Sequence, residues 1–166
     1  MRKKFTLFIM IVLLLVSGCS EKKEVLDSNE VNLKAAINTF IQDEISTGES
    51  LPLMQRLQND ILQEITYEIQ SYSIENGTMM VEFTYVDVLD LSDSITDPEL
   101  TEENYCRYCI ESLSSKQCKM ITEEIQVSFK PSADGFSVIS SEPLANVLSG
   151  GVLYYYLELL EGIGYE

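Results

Sequence analysis

Two runs of alternating polar and apolar residues meet at Asn76-Gly77, and this arrangement constrains the fold more than any other feature of the sequence. Residues 65–75 (ITYEIQSYSIE) and 78–88 (TMMVEFTYVDV) both show the two-residue period of β-strands. Asn-Gly is a preferred pair for the tight turns that join antiparallel strands. The sequence therefore predicts an antiparallel hairpin whose second strand has one apolar face, formed by Met79, Val81, Phe83 and Tyr85.

Two helices are predicted before this hairpin. The first runs from about Asn29 to Thr47 and is ended by Gly48, with apolar residues at three- and four-residue steps: Leu33, Ala36, Ile37, Phe40, Ile41 and Ile45. The second begins at Pro52, a residue favoured in the first turn of helices. Its apolar side is predicted to contain Leu53, Met54, Leu57, Ile61 and Leu62, and its polar side Gln55, Gln58, Asn59 and Gln63.

The rest of the chain repeats the change from strand to helix. Residues 87–97 are predicted to be a polar connection, followed by a helix from Pro98 to Leu113 that Asp97 caps. Its inward residues are predicted to be Leu100, Tyr105, Cys109, Ile110 and Leu113. A second hairpin over residues 121–138 turns at Ala133-Asp134-Gly135, one helical turn is predicted over 144–148, and a final helix over 152–161. The order α-α-β-β-α-β-β-α, with two hairpins, predicts an α+β domain with a sheet of about four antiparallel strands.

The first twenty residues have the parts of a signal peptide. Arg2, Lys3 and Lys4 precede an apolar run over 5–16, which as a helix would span about 18 Å, short of the roughly 30 Å hydrocarbon core of a membrane. An ordinary secretory signal is one interpretation. However, Val16-Ser17-Gly18-Cys19 resembles the lipobox of bacterial lipoproteins, in which an aliphatic residue and two small residues precede the cysteine.

The lipobox resemblance implies a location and a covalent modification. It implies that residues 1–18 are removed and that Cys19 carries a thioether-linked diacylglyceryl group and an N-acyl chain (a palmitate-type modification). More than one acyl chain is what stable anchoring requires. Residues 19–30 would then be a lipidated N-terminus and tether, and residues 31–166 a single domain, held at the extracytoplasmic face of the cell membrane.

Composition excludes several classes of function. The 166-residue chain carries 27 acidic and 11 basic residues, a formal net charge of −16, and such a surface repels phosphate backbones, so no nucleic-acid partner is expected. The chain has no histidine, which removes Ser-His-Asp and Cys-His nucleophiles and any imidazole metal ligand. We therefore expect that the protein is not an enzyme and that it has no cofactor other than its covalent lipid.

A second resemblance concerns the domain itself. A long amphipathic helix, a shorter one and then a curved antiparallel sheet are similar to the nuclear transport factor two-like (cystatin-like) cone, as found in small lipoproteins of Gram-positive bacteria. The matching pieces are Ser46-Thr47-Gly48-Glu49, Ile65 to Ile69, Val81 to Leu89, Asp134-Gly135-Phe136 and Leu148 to Gly151. This resemblance implies a concave sheet able to form a pocket, but such domains host both enzymes and binding modules.

Three cysteines follow the first hairpin, at positions 106, 109 and 118. Cys106 and Cys109 form a C-x-x-C pair within the third predicted helix, whereas thioredoxin-like pairs lie at a helix N-terminus after a strand. In mid-helix an i,i+3 pair is too far apart for a disulfide, so a bond from either residue to Cys118 is sterically easier. A disulfide, buried free thiols, and a redox or metal role remain open.

Two further groups of residues suggest sites, and each also has a simpler interpretation. Acidic residues cluster around the connection after the first hairpin and resemble a set of calcium ligands, but they lack EF-hand spacing and also favour loops and caps: Asp87, Asp90, Asp93, Asp97 and Glu99. Tyr154-Tyr155-Tyr156 could form an exposed aromatic patch for a partner or a membrane surface. We favour a final helix that packs on the sheet and closes the core.

The sequence therefore predicts a membrane-anchored extracytoplasmic lipoprotein that binds a protein or small-molecule partner without catalysis. The alternatives are a thiol-redox lipoprotein that uses Cys106 and Cys109, and a pocket enzyme on a cone fold.

Overall fold

Helices and β-hairpins alternate along the described part of the chain, which in this computed structural model comprises residues 27–48, 50–93, 95 and 101–162. The elements are α1 (Ser28–Asp43), α2 (Leu53–Gln63), β1 (Thr66–Ser73), β2 (Thr78–Val86), α3 (Val88–Asp93), α4 (Glu102–Ser114), β3 (Met120–Ser132), β4 (Gly135–Ile139), α5 (Glu142–Leu148) and α6 (Val152–Gly162). The predicted α+β class and the predicted order of elements are confirmed.

The four strands form one antiparallel sheet in the order β1-β2-β3-β4. The first hairpin has Asn76-Gly77 in its turn, but the turn spans residues 74–77 and β1 ends at Ser73, before the predicted end at residue 75. Asn76 does not have the positive φ that a two-residue Asn-Gly turn needs, and Tyr72 pairs with Met79 next to the longer turn. Between Ile69 and Ser71 the register shifts by one residue, as in a β-bulge. Each strand pairs with the strand that follows it in the sequence, so the open sheet contains no crossover connection.

Residues 87–97, predicted to be a polar connection, instead contain the short helix α3. The Asp87 Oδ1 accepts a hydrogen bond from the Asp90 backbone N–H at 3.1 Å, which is the geometry of an N-cap. Leu91 is buried on the inner side of the helix. The prediction was wrong because Asp and Ser, which indicate a loop, are also the residues that begin short helices.

The predicted start of the third helix, with Asp97, Pro98 and Leu100, lies outside the described residues. The helix that is described, α4, begins at Glu102, and the Thr101 Oγ1 accepts a hydrogen bond from the Asn104 N–H at 3.2 Å.

Apolar side chains of the sheet and of α1 and α5 form the main core. The predicted face of β2 is buried in full, and it packs against one face of β3 and against the apolar stripe of α1. The buried members are Leu33, Ile37, Ile41, Met79, Val81, Phe83, Tyr85, Ile125, Val127, Phe129, Leu144 and Val147. The helices that contribute to this core lie on one face of the sheet.

The outer face of the sheet is polar. Thr84 and Thr122 hydrogen-bond across neighbouring strands at 2.8 Å. Glu82 lies directly opposite Glu68 on one side and Glu124 on the other, and all three are exposed. Like charges in directly opposite positions repel each other, so this face keeps a row of three carboxylates at some cost in stability.

A second apolar cluster lies at the end of the sheet where β2 finishes. It joins α2, α3 and α4 to Val86, and its buried members are Leu57, Ile61, Val86, Leu91, Cys106, Cys109 and Leu113. The prediction for the third helix correctly placed Cys109 and Leu113 inside but omitted Cys106, which is fully buried. This cluster forms the floor of the site described below.

Asn59, predicted to lie on the polar side of α2, is instead buried. Its Oδ1 accepts a hydrogen bond from the Ser46 N–H, and its Nδ2 donates to the Ser46 carbonyl, both at 2.9 Å. The side-chain amide thus satisfies both backbone groups of one residue in the α1–α2 connection, which is why a polar side chain is stable there.

Two helices end in Schellman motifs, with a residue of positive φ at the position after the cap. At the end of α4 this residue is Lys116, with φ of 54°, and the Gln117 N–H donates to the Ser112 carbonyl at 3.1 Å. At the end of α5 it is Gly150, with φ of 65°. The Gly150 carbonyl also accepts a hydrogen bond from the Val88 N–H at 3.1 Å, which joins the α5–α6 turn to α3.

Candidate functional site

On the helix-covered side of the sheet, side chains of α1 and α5 fill the space over β2, and a cleft of about 310 Å³ remains between α1 and β4. Leu33, Leu144 and Val147 are fully or almost fully buried against Val81 and Phe83. Over the centre of the sheet, a packed core therefore lies where the cone resemblance implies a pocket.

A groove of about 520 Å³ lies instead among the helices, at the end of the sheet where β2 finishes. Residues of α2, α3 and α6 form most of its walls, with Tyr105 from α4 and the end of α5 completing it. The lining is mainly apolar: Met54, Leu57, Ile61, Val88, Leu89, Leu148, Val152, Tyr155 and Tyr156, with Gln58, Ser92, Tyr105 and Ser149 as the polar members. Its size and composition are typical of a binding site for an organic ligand or for apolar side chains.

Three of the four polar side chains in the groove, those of Ser92, Tyr105 and Ser149, already hydrogen-bond within the protein. The Ser92 hydroxyl donates to the Val88 carbonyl at 2.8 Å and lies 2.8 Å from the Tyr105 hydroxyl. The Ser149 Oγ donates to the Asn146 carbonyl at 2.9 Å and accepts from the Leu153 N–H. Burial raises the pKa of Tyr105, so its hydroxyl stays protonated at neutral pH. The groove therefore offers apolar surface more than unsatisfied polar atoms.

Side chains at the C-terminal end of α5 hold α6 beside the groove. The Asn146 Oδ1, which is buried, accepts from the Tyr154 N–H at 3.0 Å, and the Ser149 Oγ accepts from the Leu153 N–H at 3.1 Å. These two bonds satisfy N–H groups in the first turn of α6, which have no partner inside the helix.

Aromatic side chains of α6 remain accessible at the edge of the groove. Tyr155 is 48% exposed and Tyr156 is 56% exposed, and their rings meet edge to face with centroids 5.8 Å apart. Met54 across the groove is also exposed. We predicted that the final helix packs on the sheet and closes the core, and this is wrong for Tyr155 and Tyr156. Helix α6 contacts α5 and lines the groove, and both tyrosine side chains face solvent.

The three cysteines described lie together in the second apolar cluster, with free thiols. Cys106 and Cys109 are buried, and Cys118 is half-buried and packs against the same cluster. Burial raises the pKa of both the Cys106 and the Cys109 thiol, so neither is a ready nucleophile. A disulfide to Cys118 stays a prediction.

Of the acidic residues considered as calcium ligands, Asp87 and Asp90 are the ones whose side chains the structure describes. Burial alone would raise the pKa of Asp87, but a 2.8 Å hydrogen bond from Lys119 Nζ and the backbone N–H groups of Asp90 and Leu89 outweigh burial and hold the pKa below its usual value. Asp87 therefore acts as a helix cap and ion-pair partner. Over the described residues, no group of three or more Cys, Asp or Glu side chains is placed to hold a metal ion.

The predicted lipidation residue, Cys19, lies outside the described residues, as do the signal peptide and most of the tether. No helix within the described ranges has the length and apolar character needed to span a membrane. No protein-family model, curated protein sequence or solved structure matches this chain.

Proposed function

We propose that the protein is a membrane-anchored extracytoplasmic lipoprotein whose domain binds a partner in the helical groove and has no catalytic role. The lipobox resemblance at Val16-Ser17-Gly18-Cys19 supports the anchor. The observation that carries the binding role is the apolar groove with Tyr155 and Tyr156 exposed at its edge, since accessible aromatic side chains beside a preformed apolar groove are typical of binding sites.

The two alternative functions have less support. A thiol-redox role would need an accessible thiol of low pKa, whereas Cys106 and Cys109 are buried and their pKa is raised. A pocket enzyme would need an acid or base free to act in the groove, whereas the Ser92 and Tyr105 hydroxyls bond to each other. Similarity to the cystatin-like cone stays a prediction about the fold and adds no residue to the proposed site.

The anchor and the groove are tested separately. Mass spectrometry of the protein purified from its native membrane should find an acylated Cys19 at the N-terminus, and a retained Met1 or an unmodified thiol would contradict the anchor.

For the groove, the full chain is used to capture proteins from native membranes, with Cys19→Ala as the control for anchoring. The double variant Tyr155→Ala/Tyr156→Ala should lose a captured protein that the wild type retains. Ile74→Ala, which truncates an exposed apolar residue at the far hairpin, is the matched control and should retain it. Equal capture of that protein by the wild type, the double tyrosine variant and Ile74→Ala would exclude the groove as the binding site.

A further inference from the structure

The elements around the groove carry an excess of negative charge. Their only basic residues are Arg56 in α2 and Arg107 in α4, and the Arg107 guanidinium pairs with Glu103 at 2.6 Å, so these two charges offset each other. Their acidic residues with described side chains are Asp60, Asp90, Glu102, Glu103, Glu111, Glu142 and Glu158. Two of them, Glu102 and Glu103, line a smaller cleft with Leu53, the neighbour of Met54 on α2. The helices that form the groove thus carry more acidic than basic residues, while the groove lining itself contains no carboxylate.

The chain enters the domain at the opposite end from the groove. The Tyr72 hydroxyl donates a hydrogen bond to the Asp27 carboxylate, and Tyr72 lies beside the first hairpin turn, paired with Met79. The groove begins with Val88, just after the other end of β2. At about 3.3 Å per residue the length of β2 from Met79 to Val86 is about 23 Å, so the groove lies roughly that far from the point where the tether joins α1.

Helices form the walls of the groove, and this limits how an occupant can bind. A helix wall has no row of free N–H and C=O groups, so an extended peptide cannot be added there as a strand. A peptide occupant therefore binds through its side chains, and its backbone groups are satisfied internally or by water. An amphipathic helix does this, with apolar residues spaced at i, i+3, i+4 and i+7 as anchors.

We propose that the groove holds an amphipathic helix of a partner protein in which lysine or arginine residues flank the apolar face. This inference rests on the proposed binding function and adds the class of the partner. Basic flanks would match the acidic helices that form the groove, while apolar anchors contact Met54, Leu57 and Tyr156.

The same charges disfavour two other occupants of an apolar groove. A second copy of this chain, with a formal net charge of −16, would bring like charges together at the contact. An anionic lipid surface is repelled for the same reason, and the groove lies at the end of the domain away from the tether. A cationic partner is the occupant whose charge matches.

The test uses the full lipidated protein in nanodiscs of phosphatidylcholine, a lipid without net charge. The probe is a fluorescent 18-residue helical peptide of leucine and lysine with one apolar face, and the matched probe replaces each lysine with glutamate. Anisotropy should show that the lysine peptide binds at least tenfold more tightly than the glutamate peptide, with empty nanodiscs as the blank. Tyr155→Ala/Tyr156→Ala, which leaves the net charge unchanged, should weaken this binding about tenfold, whereas Ile74→Ala should not change it.

Charge reversal and salt provide a second measurement. Glu158→Lys lies one helical turn from Tyr155 and should weaken binding of the lysine peptide several-fold, as should 0.5 M salt. Equal binding of both peptides, or lysine-peptide binding that the double tyrosine variant leaves unchanged, would overturn the proposal. Binding to anionic vesicles, or self-association, that disappears in the double tyrosine variant would also overturn it and assign the groove to lipid or to a second copy.

The outcomes separate this inference from the proposed function. If a native partner is lost with Tyr155→Ala/Tyr156→Ala but neither peptide binds, the groove is a binding site and the inferred partner class is wrong. If capture does not depend on these tyrosines either, both proposals fail.

Discussion

The turn at Gly150 positions α6 beside the groove, and replacing this glycine with alanine should lower the free energy of unfolding. Gly150 has φ of 65°, and an alanine in this left-handed region loses about 1–2 kcal/mol relative to glycine. An added Cβ would also lie 2.9 Å from the Val86 carbonyl oxygen and would overlap the Val88 side chain. Because the carbonyl belongs to the backbone of the sheet, relief requires a backbone shift, which costs about 1–3 kcal/mol more. We expect Gly150→Ala to lower the free energy of unfolding by about 2–5 kcal/mol.

The neighbouring glycine is the matched control. Gly151 also has a positive φ, of 84°, but a Cβ there would lie no closer than 3.4 Å to Ile121, an ordinary contact. Gly151→Ala should therefore lose only the conformational part, about 1–2 kcal/mol. Urea unfolding followed by circular dichroism measures both, and with a slope of about 2 kcal/mol/M the Gly150→Ala midpoint should fall by about 1–2.5 M. Equal midpoints for the two variants would show that the steric reasoning is wrong.

Three further predictions test individual features of the fold. Glu82→Lys removes the like-charge contacts on the outer sheet face and should raise the free energy of unfolding by about 1 kcal/mol, with a smaller gain in 0.5 M salt; a loss in low salt would contradict this. Lys116→Gly relieves the left-handed conformation at the end of α4 and should stabilise by about 0.5–1 kcal/mol, measured as a shift in the urea midpoint without a change in slope. Asp87→Asn keeps the helix cap but removes the charge that pairs with Lys119, so stability at pH 7 should fall by about 1 kcal/mol. Because the pKa of Asp87 is lowered in the folded protein, this difference should be constant above about pH 5 and should shrink as the pH falls below about 4; a difference that persists at pH 2 would exclude the ionic explanation.

Local patterns in the sequence were sufficient to predict most of the fold. The alternation from Met79 to Tyr85 gave the buried face of β2, and the stripe from Leu33 to Ile41 gave the inner face of α1. These predictions succeeded because a strand or helix with one apolar side can bury it in only one orientation. The failures concern residues with two common uses: Asp87 indicates both loops and caps, and Asn59 is polar but has a backbone partner that is distant in sequence.

The groove could not be predicted from local patterns. Its lining runs from Met54 to Tyr156, and it exists because α2, α3 and α6 meet at one end of the sheet. Apolar periodicity reports that Tyr155 and Tyr156 belong to a helix, but it does not report which side of that helix remains uncovered. Two features of the sequence pointed towards the site: the three consecutive tyrosines, which could form an exposed patch, and the Gly150-Gly151 turn. Neither of them identifies α2 as the opposite wall of the groove.

The double hydrogen bond of Asn59 leaves position 59 with almost no acceptable replacement. Only an amide presents a donor and an acceptor side by side at this length, as Ser46 requires. Conversion of this asparagine to aspartate, the product of spontaneous deamidation, would set a carboxylate oxygen against the Ser46 carbonyl, leaving two acceptors facing each other with no proton between them. Deamidation of this one side chain would then remove hydrogen bonding between α2 and the α1–α2 connection, and would destabilise the wall of the groove that α2 forms.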